Sequence, residues 1–209
     1  YFIIDLTKNN KFKKNRNSNF ISIGRFGEIL KLIKNKKCTN VLFAGKIDKP
    51  EITSLKLDFK GLYYIPRIIK AAKLGDAAIL KELIKILAEN KIKVLRSNLF
   101  NKELTFVKGN YTKIKPNKLD LKDIKKGIGI LDKLNSHDHV QGLVVRDNLI
   151  IAKETSLGTK KMLQLIKIKK KSNSILIKFP KKKQDLRADL PTIGLNTLKD
   201  CNKAKIKGI

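Results

Sequence analysis

Apolar positions along this chain of 209 residues recur with two alternating periods. Tyr1 to Ile4 and Asn40 to Phe43 are short apolar runs of strand type, and between them Phe26 to Ile33 carries the i, i+3, i+4 spacing of a helix. Ile65 to Lys73 and Ala77 to Asn90 predict two further helices, the second with Ile79, Leu80, Leu83, Ile84 and Leu87 on one face. Lys91 to Leu95 follows as a strand. Alternation of this kind implies a mainly parallel sheet in an α/β domain.

A polar stretch with a proline, Lys113 to Lys118, interrupts the pattern and reads as a linker. Beyond it, either Asp120 or Asp123 is placed to open a helix that runs through Leu134. Gln141 to Val145 and Leu149 to Lys153 predict two strands joined at Arg146-Asp147-Asn148, a hairpin by its turn residues. Gly158 to Ile168 is amphipathic and helical, and Ser174 to Phe179 is a last strand. The expectation is an α/β chain of two domains, with a Rossmann-like parallel-sheet domain over residues 1–112, a linker over 113–119 and a smaller mixed α/β domain over 120–209.

The strongest chemical signal follows that last strand. Ser174 to Gly194 reads S-I-L-I-K-F-P-K-K-K-Q-D-L-R-A-D-L-P-T-I-G, so Asp185 and Asp189 lie among Lys178, Lys181, Lys182, Lys183 and Arg187. Carboxylates hold a hard divalent cation and cations hold the phosphate oxygens that the metal shares, so phosphoryl transfer needs both signs close together. The alternative is a solvated charge run in which one carboxylate pairs with Arg187. Pro191 disfavours helix at Leu190, and an extended loop is expected from Asp185 to Asp189.

The segment from Lys178 through Gln184-Asp185-Leu-Arg187-Ala-Asp189-Leu-Pro191-Thr-Ile-Gly194 resembles the K-x-P-K-P-x-Q-D-x-R-x-D-L-P-x-I-G signature of a bacterial family. These are the two-domain, magnesium-dependent UDP-2,3-diacylglucosamine pyrophosphatases of the lipid A pathway, distinct from the calcineurin-like phosphoesterases that do the same job. Gly24-Arg-Phe-Gly27 is similar to the family's G-Q-x-G, the stretch from Ala44 to Pro50 to its A-G-K-V-x-R-P, and Gly75 to Leu80 to its G-D-D-A-L-L. Asp138 to Gln141 resembles its D-V-G-Q, and Glu154 with Gly158-Thr159 its V-E-A-x-E-G-T-D. The resemblance implies cleavage of the substrate diphosphate to UMP and 2,3-diacylglucosamine 1-phosphate, with magnesium, or manganese in its place, as cofactor. It implies a catalytic set of Asp185, Asp189, Arg187 and Lys178, metal ligation by Asp185, Asp189 and Glu154, and substrate contacts at Gln141, Gly158, Thr159, Asp76, Lys46 and Gln184. The chain departs from the family where Leu157 and Lys160 replace two acids and Val140 replaces a glycine. The family's first strand with its Gly-rich turn, and the end of its C-terminal domain, are expected to lie outside this sequence.

Individual residues carry second readings. Gly158-Thr159 precedes a helix whose free amides suit phosphate. Asp76 is placed to cap the helix from Ala77, and Lys46 to sit in solvent. His137-Asp138-His139 has metal-ligand types without a third or fourth partner in the sequence.

Charge changes the picture less than its size suggests. The formal net charge is +30, from 48 Lys and Arg against 18 Asp and Glu. Alone this points to nucleic acid or an anionic membrane. Yet the bases are mostly Lys, spread over the whole length among Asn and Ile, as drift toward A and T in codon usage produces. With no Trp and 6% aromatics, the chain lacks basic-aromatic stacking motifs, so nucleic acid is expected to bind only non-specifically. Two alternatives to the enzyme follow, a non-catalytic nucleic-acid-binding α/β protein and a truncated family member that binds substrate but turns it over poorly. Cys38 and Cys201 are far apart and read as reduced thiols, and no apolar run reaches the length of a membrane span. A cytoplasmic protein, peripheral on the cytoplasmic face of the inner membrane, is the expectation.

Overall fold

A computed structural model describes residues 1–7, 12, 14–45, 51–134, 140–166, 173–180 and 184–209. The chain divides into two compact units, Tyr1–Phe100 and Asn101–Ile209. Both are α/β. In the first, β1 (Ile3–Asp5) pairs in parallel with β2 (Ser18–Phe20), and β3 (Asn40–Leu42) pairs in parallel with β4 (Lys93–Leu95), Val41 opposite Val94. Helix α1 (Phe26–Asn35) precedes β3, and α2 (Phe59–Ala72) and α3 (Asp76–Glu89) make the long crossover that a parallel pair requires. The sequence reading missed β2, whose Ser-Asn-Phe has neither an apolar run nor an alternation.

Helix α2 starts before the predicted Ile65. Pro66 invites a first-turn placement, but Asp58 supplies a stronger start, its Oδ1 accepting the Gly61 amide at 2.7 Å. The same carboxylate reaches the first turn of α1, accepting Gly27 N at 3.1 Å and Glu28 N at 2.9 Å. One side chain therefore caps two helices, of which α1 has no cap of its own from Arg25. Burial pushes the Asp58 carboxyl up, but the amides of Gly61, Gly27 and Glu28 outweigh it and hold the carboxyl below its ordinary range. The fit requires glycine, because a Cβ on Gly61 would lie 2.2 Å from Gly24 O and one on Gly24 2.6 Å from Lys56 O. Arg67 then locks α2 to α3 through Glu82 and a two-pronged bond to Glu89. Helix α3 packs against both α2 and β4, so its buried surface is wider than the predicted stripe and takes in Ile86.

The second unit is built on an antiparallel sheet in the order β6-β5-β7, with β5 Gly142–Arg146, β6 Leu149–Lys153 and β7 Ile175–Lys178. Strands β5 and β6 join through Asp147 and Asn148, both at positive φ (49° and 62°), the geometry of the tight hairpin turn. Leu143, Val145, Ile175 and Ile177 point to one face, where α4 (Lys118–Leu134) contributes Leu131. Val144 and Leu176 point to the other, against Met162 and Leu163 of α5 (Gly158–Leu165) and Cys201 of α6 (Leu195–Lys203). Because both faces are covered, β5 and β7 read as continuous apolar runs rather than alternating ones. Gly127 lets α4 lie on the sheet, since a Cβ there would fall 2.1 Å from Ile177 Cδ1.

Neither predicted aspartate opens α4. Asn117 Oδ1 accepts the Leu119 and Asp120 amides, and Asp120 Oδ2 accepts Asn117 N in return, a reciprocal cap. Asp120 also receives Lys207 Nζ at 2.9 Å, and Asp123 accepts Asn148 N at 2.7 Å to brace the hairpin. Helix α6 was not predicted; its sequence, L-N-T-L-K-D-C-N-K, is too polar for a strong stripe. Past it, Lys207 N bonds to Ser174 O and Leu176 N to Gly208 O, laying the chain's last residues beside β7.

Replacing Asp58 with Ala removes the cap from two helix ends, and capping losses of ~1 kcal/mol each predict destabilisation by about 2 kcal/mol in thermal or denaturant unfolding. Asp58→Asn, which keeps an acceptor oxygen, should lose less. Because the folded carboxyl is depressed, its stabilisation is complete above the ordinary aspartate range and is lost as pH falls through the lower folded value. The gap between wild type and Asp58→Asn should therefore close in acid, and a gap that stays constant to low pH would refute the charged double cap.

Candidate active site

Most of the quoted motif residues of the second unit meet at one end of its sheet. Antiparallel pairing sets the start of β5 beside the ends of β6 and β7, as Glu154 N to Gly142 O (2.9 Å) and Phe179 N to Gln141 O (2.9 Å) record. Gln141, Glu154 and Lys178 are thus neighbours although each lies 13 or more positions from the next in sequence.

A continuous chain of hydrogen bonds runs through them. Gln141 Nε2 donates to Gln184 Oε1 at 2.8 Å, and Gln141 N donates to Glu154 Oε2 at 2.9 Å. Thr159 Oγ1 donates to Glu154 Oε1 at 2.7 Å and accepts from Lys178 Nζ at 3.0 Å. Lys178 Nζ also donates to Thr192 O at 3.3 Å. Glu154 is only 5% exposed, so its charge is held by fixed donors instead of water. Gly142 leaves room for it, since a Cβ there would sit 3.3 Å from Glu154 Oε2. Val140, which stands where the family pattern has glycine, is buried in the core beside Leu131 and Leu143 and anchors the chain just before Gln141.

Asp185 and Asp189 lie in a tight turn, not in the expected extended loop. The amides of Ala188 and Asp189 both donate to Asp185 O, at 3.1 and 3.0 Å, closing one turn before Leu190, where Pro191 halts it. Arg187 forks onto Asp185 with Nε to Oδ1 at 2.9 Å and one terminal nitrogen to Oδ2 at 2.7 Å, while Arg187 N also donates to Oδ1 at 3.0 Å. The fork raises the guanidinium pKa above its ordinary value. The pairing reading of Asp185 is therefore realised. No described hydrogen bond or ion pair engages the half-buried Asp189 carboxylate.

Among the described residues, no group of three His, Cys, Asp or Glu side chains is placed to hold a metal ion. Glu154 gives both oxygens to Gln141 and Thr159, and Asp185 faces Arg187. Such a donor set does not make a protein-built cage. Magnesium asks for less than a cage, since it takes one or two carboxylates and completes its shell with phosphate oxygens and water.

Other predicted residues fall elsewhere. Asp76 is the first residue of α3, not its cap; that position belongs to Gly75 at φ 106°. Gly158 opens α5 at φ 79°, and Leu157, 67% exposed, caps α5 without a side-chain bond. Lys46, Lys181 to Lys183 and His137 to His139 lie outside the described residues. Sequence reasoning missed Thr192, whose carbonyl orients Lys178; the clue was its place inside the L-P-T-I-G end of the motif.

Residues 2–104 match the family model described as the LpxI N-terminal domain, and residues 107–209 the model described as the LpxI C-terminal domain. The chain belongs to the LpxI family. It is 31% identical over 197 residues to the UDP-2,3-diacylglucosamine pyrophosphatase LpxI of Caulobacter vibrioides, an alignment that covers 90% of this chain and 70% of that protein. The join between the two LpxI domain matches, at 104–107, lies close to the division between the two compact units. The hydrogen-bonded chain around Glu154 falls wholly within the LpxI C-terminal domain.

Glu154→Gln offers an amide N–H₂ to one of two donors and should destabilise the fold by ~1–3 kcal/mol. Thr159→Ser, which keeps the hydroxyl, should melt near wild type, whereas Thr159→Val should resemble Glu154→Gln. Equal melting temperatures for all three would show that the chain of bonds does not hold this end of the sheet.

Proposed function

We propose that this protein hydrolyses the diphosphate of UDP-2,3-diacylglucosamine to UMP and 2,3-diacylglucosamine 1-phosphate, a step of lipid A biosynthesis. The observation that carries this reading is the bonded chain from Gln184 through Gln141, Glu154 and Thr159 to Lys178. It gathers three motif blocks of an LpxI chain at one sheet end, and the relative from Caulobacter vibrioides bears that activity in its name.

In this reading Asp189 receives a proton from the attacking water, whose oxygen bonds to phosphorus while the bridging P–O bond breaks and its electron pair leaves with the departing phosphate. Lys178 and Arg187 stand against the charge that builds on the phosphate oxygens, the interaction that matters most in phosphoryl transfer. Thr159 and Thr192 hold the Lys178 ammonium in place, and Glu154 fixes Thr159 and Gln141. Magnesium, or manganese in its place, would be held by Asp189 and by Asp185 from the Arg187 fork, and when bound would neutralise phosphate oxygens and orient water. Gly158, Gln184, Asp76 and Lys46 remain proposed substrate contacts. We place the protein in the cytoplasm, peripheral on the cytoplasmic face of the inner membrane; among the described residues no helix is long and apolar enough to cross it.

Asp189→Ala should lower turnover by roughly a hundredfold or more with substrate affinity and melting temperature kept, because the lost contact belongs to the transition state. Asp185→Ala should lower turnover as well and also release Arg187, which weakens substrate binding. Near-normal turnover in both would remove the pair from catalysis. Separately, activity should vanish in excess chelator and return with magnesium or manganese, and full activity in chelator would exclude the metal while leaving hydrolysis by Asp189 standing.

A further inference from the structure

A groove of ≈ 780 Å³ runs along the outer side of α4, and none of the residues in the Glu154 chain lines it. Its walls carry Lys122, Lys125, Lys126 and Lys133, which recur at the three- and four-residue steps of one helix face, with Leu119 and Ile130 as apolar floor and the hairpin turn Asp147-Asn148 at its edge. Neither acid in the groove is ion-paired with its lysines among the described residues. Asp123 accepts Asn148 N at 2.7 Å, and Asp147 faces Arg146 at 3.9 Å. Lys126 donates to Asn148 O, while no described ion pair engages Lys122, Lys125 or Lys133.

We propose that this face of α4 is the surface through which the protein docks on a bilayer rich in anionic phospholipid. The proposal rests on the reading above, in which the substrate is a lipid and the protein works at a membrane, and it names the surface responsible. Charge complementarity carries it. Lysines on one helix face, with no ion pair among the described residues at Lys122, Lys125 or Lys133, meet a negative headgroup layer, and each lysine near such a surface strengthens partitioning by about fivefold. Leu119 is 60% exposed at one end of the groove, and Leu149, beside the hairpin turn, is 65% exposed. Apolar tips among ammonium groups suit the headgroup boundary, where lysine stems lie along apolar surface with their charge in water. Nucleic acid fits less well, because the groove offers no aromatic ring for base stacking and no arginine.

The test is sedimentation of the full chain with vesicles of phosphatidylcholine alone and with vesicles that also contain phosphatidylglycerol. Wild type should bind only the second. Lys122→Glu, Lys125→Glu and Lys133→Glu combined should weaken that binding by roughly a hundredfold or more, while Lys31→Glu and Lys34→Glu on α1 with Lys36→Glu at its C-cap make the same charge change with a much smaller effect. Leu119→Asn with Leu149→Asn should leave residual binding that moderate salt removes, where wild type persists. Equal losses in the α4 and α1 variants would reduce the effect to net charge and overturn the proposal. Vesicle binding that survives in the α4 variant while affinity for duplex DNA is lost would overturn it in favour of nucleic acid. Turnover on detergent-dispersed substrate, expected unchanged in the α4 variant, is read apart from docking, so failure of the hydrolase reading and failure of the surface remain distinguishable.

Discussion

The candidate site depends on one buried carboxylate. Glu154 directly follows β6, and at 5% exposure its carboxyl oxygens need donors from the protein in water's place. Those donors come from either side of it in the chain, the amide of Gln141 before β5 and the hydroxyl of Thr159 in the first turn of α5. Their second contacts reach Gln184 and Lys178. The register of β5 against β6, the start of α5 and the aim of the Lys178 ammonium are thereby one constraint. A change at any member leaves a buried partner unsatisfied, which costs more than the bond itself contributes.

The sheet explains why this constraint sits where it does. Helices cover both faces of β5 and β7, so the side chains of those strand interiors go into two apolar cores and their ends are left for polar chemistry. The first unit repeats the device with Asp58, which gathers amides from two helix starts, and Asp120 and Asp123 do similar work at the cap of α4 and at the hairpin. In a chain with 18 acids against 48 bases, several acids thus serve as local organisers of backbone donors. Losing one is structurally expensive, whereas a solvated lysine is exchangeable.

Much of the second unit was legible because its elements are apolar where they must be. Continuous runs at Leu143–Val145 and Ile175–Ile177 mark buried strands, and Asp147-Asn148 marks a turn that needs positive φ. The site residues were legible as motif blocks, but not their wiring. No periodicity says that the Thr159 hydroxyl bridges Glu154 and Lys178, nor that Asp185 is bound into a fork by Arg187 two residues on. Asp58 was invisible for a related reason. A lone aspartate before a phenylalanine reads as one cap, and its second job depends on glycines at 24, 27 and 61 that bring two helix ends within reach of it. Asn117 and Asp120 are both capping residue types, and only the reciprocal bond between them decides which is the cap.

The large positive charge is where composition and structure part company most clearly. Lysines with a defined partner, such as Lys178 on Thr159 and Lys207 on Asp120, act through geometry and would do so at any net charge. Lysines scattered over the surface have their fields shortened to about 8–10 Å by salt and add little individually. What composition cannot show is clustering. Lys122, Lys125 and Lys133 share one helix face with Asp123 already committed to the hairpin, and it is this clustering without an ion pair among the described residues, rather than the total of +30, that gives the face a directed field.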